Sequence, residues 1–382
     1  MITTIKVQLL PNNKQSTKLF QMAGVARFAY NWAIAREQEN YANGNTFLND
    51  GELRKEFTQF KKQEEYIWLN NYSNNITKQA IKDACGAYKK FFNHLSSYPK
   101  FKTKRKSKPA FYQDTNKIKF TETHVKLEKL SKRQKVNWIK LAEYNKIPAN
   151  AKCLNPRITF DGLNWWISVG IAVEDCKEMP NNIGIGIDLG IKKIAVCSDG
   201  NIYKNINKEK EVKRLKKKRR RLQRQISRKY LKNKKGESYR KTRNIIKSEK
   251  KLLKLNRRLT NIRKNYLHQI TTEIINRKPK FITVEDLNVN GMIKNKHLSK
   301  SIQEQCFYEF YRQLEYKTKW NNIELRVVDR FYPSSKICHN CGAIKKDLKL
   351  SDRIYECECG YIEDRDYNAS LNLRDATEYK IA

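Results

Sequence analysis

Apolar and polar residues alternate through ITTIKVQLL at positions 2–10, the period of a strand, and Pro11-Asn12-Asn13 ends it. The period then lengthens. Leu19, Met22, Val25, Phe28, Ala29 and Trp32 recur at spacings that predict one long helix from about Lys14 to Tyr41, broken by Asn43-Gly44-Asn45. Asp50 stands where it could cap a short helix through Phe60. Ser73-Asn74-Asn75 precedes a further helix with Ile76, Ala80, Ala84, Ala87, Phe91 and Leu95 on one stripe. The first hundred or so residues therefore read as a helical bundle behind one strand. From Ala110 to Val173 the period returns to two in KIKFTET, VKLEKL, VNWIKLAEY, KCLNPRITF and NWWISVGIAV, with turns such as Asp161-Gly162 between them. These strands predict a small antiparallel barrel or sheet. The opening strand is expected to join it, which makes the helices of 14–98 an insertion.

In the second half, Ile183, Ile185 and Ile187 alternate with Gly184, Gly186 and Asp188. The isoleucines are expected to face a packed layer. The glycines leave the other face bare, with Asp188 a lone carboxylate near the strand's end. Residues 191–197, Ser198-Asp199-Gly200 and 201–203 read as strand, turn and strand. A carboxylate closing a first strand before a hairpin is how an RNase H-like fold begins. A second apolar strand, Lys280 to Leu287, also ends in acid, with Phe281, Thr283 and Glu285 on one face. Paired beside the first, it brings Glu285 close to Asp188. Between them, residues 207–277 read as two antiparallel helices joined near Asn233-Lys234-Lys235-Gly236, the second carrying Leu252, Leu255, Leu259, Ile262, Tyr266, Ile270 and Ile274. A Gly- and Lys-containing loop at 288–294 is suited to gate a site. A helix from about Ser299 to Trp320 and a strand, Glu324 to Val328, follow.

Charge changes the picture. Lys and Arg number 80 against 39 Asp and Glu, a net charge of +41 over 382 residues. Such a surplus points to a polyanion, nucleic acid first and a membrane surface second. No run of about 18 apolar residues is present, so nothing in the pattern spans a bilayer. The opening residues lack a signal-peptide apolar core, and a cytoplasmic protein with reduced thiols is expected. The segment 213–229, KRLKKKRRRLQRQISRK, contains no acid, and Pro99 to Pro109 is a basic linker with one aromatic. Both are expected to contact phosphate, against the plainer reading of solvated surface.

Of nine cysteines, Cys85, Cys153, Cys176, Cys197 and Cys306 are scattered and read as small core residues. The other four form Cys338-His339-Asn340-Cys341-Gly342 and Cys357-Glu358-Cys359-Gly360, with fifteen residues between the pairs. Two close pairs on turns can surround one tetrahedral Zn²⁺ with four thiolates, disulfides being the alternative. The C-x-C spacing tightens the second knuckle, and His339 is too close to Cys338 to share its geometry. Four thiolates leave no open position, so the role is structural. Immediately beyond, Glu363-Asp364-Arg365-Asp366-Tyr367-Asn368 opens a helical pattern. Helix capping is the plain reading of Asp366. Against it stand the two other acids at strand ends. Three converging carboxylates can hold a pair of Mg²⁺ ions about 3.5–4 Å apart, for hydrolysis of a phosphodiester.

These residues together resemble the RuvC-like nucleases, and among them the transposon-encoded TnpB (OrfB) family. The matching segments are GIDLGIKKIAV, VEDLNVNGM, LEYKTKW, YPSSKICHNCG and CGYIEDRDYNASLNL, with QMAGVARFAYNWAI and ITKQAIKDACGAYKKFF near the N-terminus. The resemblance implies a multidomain α+β protein. Its parts would be a wedge-like β-barrel (1–13 and 99–180), a helical recognition insertion (14–98), a RuvC-like nuclease domain (181–333 and 363–382) with long basic helices at 207–277, and a zinc ribbon (334–362). Asp188, Glu285 and Asp366 would be the catalytic Mg²⁺ carboxylates, Asp366 being preferred to Asp364 because it directly precedes Tyr367-Asn368. The zinc ligands would be Cys338, Cys341, Cys357 and Cys359. Implied too are a guide RNA from the transposon end and cleavage of double-stranded DNA beside a short transposon-adjacent motif, in a prokaryotic, nucleoid-associated setting. Lys102, Lys104, Arg105, Lys106, Lys216, Lys217, Arg219, Arg220, Arg221 and Arg224 are the expected nucleic-acid contacts. A guide-dependent DNA-binding regulator that does not cut, or a RuvC-like junction or flap nuclease acting without RNA, are the rival readings.

Overall fold

The structure is a computed structural model that describes every residue except 1, 131–133, 150, 174–179, 350 and 351. The chain forms two compact units, residues 1–174 and 175–382. Cys176 lies outside the described residues.

The first unit runs β1 (Ile2–Leu10), α1 (Asn13–Ala42), α2 (Asp50–Phe60), α3 (Asn74–Phe92), β2 (Ala110–Tyr112), β3 (Lys119–Phe120), β4 (His124–Lys126), β5 (Trp138–Leu141), β6 (Leu154–Phe160) and β7 (Trp165–Ala172). Its strands form one antiparallel sheet in the order β2-β6-β7-β1-β5-β4-β3, with the opening strand at the centre. Among the described residues the end strands β2 and β3 are not paired with each other. Val7, Ile158 and Ile167 from the sheet share one buried core with Leu19, Met22 and Ile76 from the helices. Two details differ from expectation. Asn49, not Asp50, caps α2, because its side chain accepts from the N–H groups of Gly51 and Glu52. α3 stops at Phe92, so Leu95 falls off its stripe and is 75% exposed.

The second unit runs β8 (Ile185–Asp188), β9 (Lys193–Cys197), β10 (Ile202–Lys204), α4 (Lys210–Lys232), β11 (Lys234–Lys235), β12 (Ser238–Tyr239), α5 (Arg243–Asn276), β13 (Phe281–Glu285), α6 (Val289–Lys294), α7 (Ser299–Gln305), α8 (Phe307–Trp320), β14 (Glu324–Val328), β15 (Ile354–Glu356), β16 (Ile362–Asp364), α9 (Arg365–Arg374) and β17 (Lys380–Ile381). The main sheet has the order β10-β9-β8-β13-β14-β17. β8, β13 and β14 are parallel, and the antiparallel hairpin β9-β10 lies on the outer side of β8. One face of the sheet packs Ile185, Ile187, Ile282 and Val284 with Ile270 and Ile274 of α5 and Phe310 and Leu314 of α8.

The other face of β8 is not bare. α9 lies on it so closely that a Cβ on Gly186 would sit 2.0 Å from the Ser370 carbonyl oxygen and 2.3 Å from the Arg374 nitrogen. Glycine is required there because backbone meets backbone. Ile183 precedes the strand and is 68% exposed, so only two of the three isoleucines reach the core. Residues 289–294 are a short helix rather than a loop, its start capped by Asn288. The helix expected over 299–320 is broken at Cys306, whose φ of +58° ends α7 and starts α8 in a new direction. That break leaves Gln305 buried, with its Nε2 donating to the carbonyls of Gly190 and Ile191 just after Asp188.

Candidate active site and cysteine cluster

The strand register sets two of the three acids. β8 and β13 pair Gly186 with Thr283 and Ile187 with Val284, so Asp188 and Glu285 come next, side by side at the ends of parallel strands. Both point to the face that α9 covers, because they continue the alternation of Gly186 and Thr283. The third acid arrives through α9. Asp364 caps that helix by accepting from the N–H groups of Asp366 and Tyr367, and pairs with Lys193 at 2.9 Å. With the capping role taken by Asp364, Asp366 stands in the first turn, held by Arg365 at 3.0 Å.

The electrostatics of this corner are those of crowded carboxylates. Burial pushes the Asp188 carboxyl well above its ordinary range, and Glu285, Asp366 and Asp364 push it further, with Arg365 opposing them. Glu285 is pushed up by burial and drawn back by the Ser334 hydroxyl, which donates to its Oε1. A cation bound near these carboxylates would offset the burial and repulsion that raise Asp188. Among the described residues, only the cysteines bring three or more ligand atoms within 4.8 Å of one another.

The four cysteines meet as well. The sulfurs of Cys338, Cys341, Cys357 and Cys359 all lie within 4.8 Å of one another. Cys338 and Cys359 are 3.7 Å apart, Cys341 and Cys357 3.6 Å. Four thiolates at Zn–S bonds of about 2.3 Å would show this spacing, so the residues fit the ion. Gly342 and Gly360 take φ of +75° and +86°, and each donates its N–H back to the first cysteine of its pair. His339 is not among the sulfurs; its Nδ1 lies 3.8 Å from Asp375.

The two sites are mechanically joined by residues that sequence reasoning passed over. Asn368 is fully buried and its side chain takes the His339 N–H and donates to the Ile337 carbonyl. Asn372, one turn on, donates to the carbonyls of Ser334 and Ile337. The first cysteine knuckle is thereby clamped on α9, and Ser334, four residues before Cys338, reaches Glu285. The signal was present only as two asparagines and a serine inside the motifs, whose partners the sequence does not show.

The basic residues divide. On α4, Lys217, Arg220, Arg221 and Arg224 are exposed. Lys216 instead pairs with Glu304 at 2.6 Å in a half-buried lock, and Arg219 is half-buried. Arg221 also lines a groove of about 730 Å³ between α4 and α5, with Lys218, Lys251, Lys254 and Arg258. In the linker, Lys104, Arg105 and Lys106 are exposed. Lys102 is not free: its Nζ sits 3.5 Å above the Tyr30 ring and its backbone is bonded both ways to Asn31. No helix among the described residues is long and apolar enough to cross a membrane.

The second unit combines a mixed sheet, with acids at its strand ends, and a cysteine knuckle clamped on α9. Residues 168–296 match the family OrfB_IS605, described as "Probable transposase", residues 1–46 match its "Helix-turn-helix domain", and residues 307–373 match the "Cas12f1-like, TNB domain". In this chain the 1–46 span holds β1 and the single helix α1. Three separate segments of the chain are thus similar to transposon-encoded OrfB and Cas12f1-like proteins. The chain is 29% identical to an Escherichia coli K12 protein named "Putative RNA-guided DNA endonuclease InsQ", over 97% of this chain and 91% of that one. It is 27% identical to a Streptomyces pristinaespiralis protein named "Putative RNA-guided DNA endonuclease", over 96% and 87%. Among solved structures it superimposes on the protein of a Cas12f1–sgRNA–target DNA complex with a TM-score of 0.57, at 15% identity, covering 100% of this chain and 99% of that one.

Proposed function

We propose that this chain is an RNA-guided DNA endonuclease of an insertion-sequence transposon. A guide RNA from the transposon end selects the sequence by pairing, and double-stranded DNA is cut beside a short transposon-adjacent motif. The observation that carries the reading is that Asp188, at the end of a glycine-bearing strand, feels the charges of Glu285 and Asp366, in a chain of net charge +41. The match of residues 168–296 to the OrfB_IS605 family and the names of the two relatives support it.

Asp188, Glu285 and Asp366 would hold the Mg²⁺ ions, which when bound supply a polarised water and stabilise the leaving 3′-oxygen. The chain's own groups do the positioning. Ser334 fixes the orientation of Glu285, Arg365 fixes Asp366, and the N-terminal end of α9 turns its positive pole toward an incoming phosphate. Cys338, Cys341, Cys357 and Cys359 would hold a structural Zn²⁺, and Asn368 ties the first knuckle to α9. Lys104, Arg105, Lys106, Lys217, Arg220, Arg221 and Arg224 offer exposed charge to the phosphates of guide and target. The seven-stranded sheet of the first unit would serve as the wedge and its helices as the recognition insertion.

Sequencing the RNA that co-purifies with the protein expressed from its own locus tests this reading. A dominant RNA ending in element-flanking sequence, which then directs Mg²⁺-dependent cutting of a matching duplex, is the expected result. Cutting of branched DNA with no enriched RNA would replace it with an unguided nuclease.

A further inference from the structure

The first unit contains a second buried acid in very different company. Glu37, on the inner side of α1, is 5% exposed. Its Oε2 accepts the Leu48 N–H at 3.4 Å, while Oε1 is buried and has no hydrogen-bond partner. The neighbouring cation is engaged elsewhere: Arg36 pairs with Glu56 at 2.6 Å and Glu39 at 3.3 Å. An unpartnered carboxyl oxygen out of water is costly unless something completes it.

Glu37 lines a pocket of about 510 Å³, a size that suits a small ligand group. Its other walls are mainly aromatic (Tyr41, Phe47, Tyr88, Phe91, Phe92 and Tyr98), with Asn40, Asn45 and Thr46 beside them. Phe47 and Phe92 meet edge to face at 5.5 Å, and Phe91 and Tyr98 at 5.2 Å. The walls are preformed, since the loop carrying Phe47 is pinned to α1 by Asn40, whose side-chain N–H donates to Thr46, and by the Leu48 contact with Glu37. Phe92 remains 53% exposed at the rim. Lys89 and Lys90 share the last turn of α3 with these aromatics, are exposed, and carry no ion pair among the described residues.

We propose that this pocket takes one unpaired, amino-bearing nucleobase from a nucleic-acid strand bound to the protein. The base stacks among the aromatic rings, its amino N–H donates to the Glu37 carboxyl, and its phosphate lies toward the exposed Lys89. Stacking on aromatic side chains with cations along the backbone is a recurrent way of holding single-stranded nucleic acid. A cationic side chain could also enter an aromatic pocket with an acid in it. The chain's net charge of +41 argues against that guest, because such a surface repels a cation and attracts a phosphate. The inference rests on the reading that the chain binds nucleic acid, but not on the nuclease site.

The test uses the full-length protein without guide or Mg²⁺, with binding followed by ligand-observed NMR. The probes are adenosine 5′-monophosphate, its N6,N6-dimethyl analogue, ribose 5-phosphate and N-acetylarginine amide. Adenosine monophosphate is expected to bind, with the dimethyl analogue, which has lost the N–H, weaker by about tenfold. Phe92→Ala, at an exposed position, should weaken it by about tenfold as well, by removing one stacking face. Equal binding of adenosine monophosphate and ribose 5-phosphate, no effect of Phe92→Ala, or preference for the arginine amide would overturn the proposal. None of these outcomes bears on cleavage, so failure here and failure of the nuclease reading are separable.

Discussion

Asp188 in the second unit is half-buried and Glu37 in the first is buried, and burial is the largest influence raising each carboxyl above its ordinary range. Their neighbours differ. Asp188 faces Glu285, Asp366 and Asp364, so further negative charge adds to its burden. Glu37, pushed up to about 7, faces aromatic rings and one backbone N–H, with Arg36, Glu52 and Glu56 as its more distant charges. The first environment asks for a cation and the second for a hydrogen-bond donor on a flat, stackable group. A raised carboxyl therefore marks a candidate site, while the groups around it say what the site is for.

That contrast can be broken at graded cost. The largest effect is expected from removing zinc. Chelation or Cys338→Ser should release one metal per chain and unfold the knuckle, since such ions contribute about 10 kcal/mol or more to folding. Hydrogen exchange should show protection lost around 334–362 and α9, with the aromatic pocket of the first unit unchanged. Gly186→Val comes next: a side chain there meets the backbone of α9, and denaturant melts should show a loss of more than about 3 kcal/mol. Glu37→Gln addresses the other acid through pH. A carboxyl raised on folding leaves stability intact below about 4.5 and takes it away as pH rises through about 7. Wild type should thus lose about 2 to 3 kcal/mol between pH 5 and pH 8 from this group. Glu37→Gln should flatten that slope, and an unchanged slope would show Glu37 to be solvated. Smallest is Ser334→Ala, which frees Glu285 from its donor. Cleavage should fall by about tenfold with folding intact, as for other groups that orient metal-binding carboxylates.

Much of this was legible in the sequence because it is local. Alternation fixed β1 and β8, helical spacing gave α1, α3 and the α4–α5 hairpin, and two cysteine pairs announced their own meeting. The rest depends on partners far along the chain. Nothing near Gly186 says that α9 will lie on it, so its face read as bare. Lys102 and Lys216 looked like free phosphate contacts; Tyr30 and Glu304 hold them. The break at Cys306 needs a left-handed residue that an apolar stripe does not reveal. Glu37 sits in ARE-QEN, a stretch that reads as solvated, and becomes buried only when the loop of residues 43–49 folds back on α1.

The most direct measurement is cleavage of a matching plasmid by the guide-loaded protein in Mg²⁺, with Asp188→Ala, Glu285→Ala, Asp366→Ala and Asp364→Ala compared side by side. The account predicts losses of at least about a thousandfold at the first three, with RNA binding unchanged. Asp364→Ala should keep cutting at a reduced rate, because a cap rather than a metal ligand has been removed. Full cutting by Asp366→Ala, or abolition by Asp364→Ala alone, would contradict it.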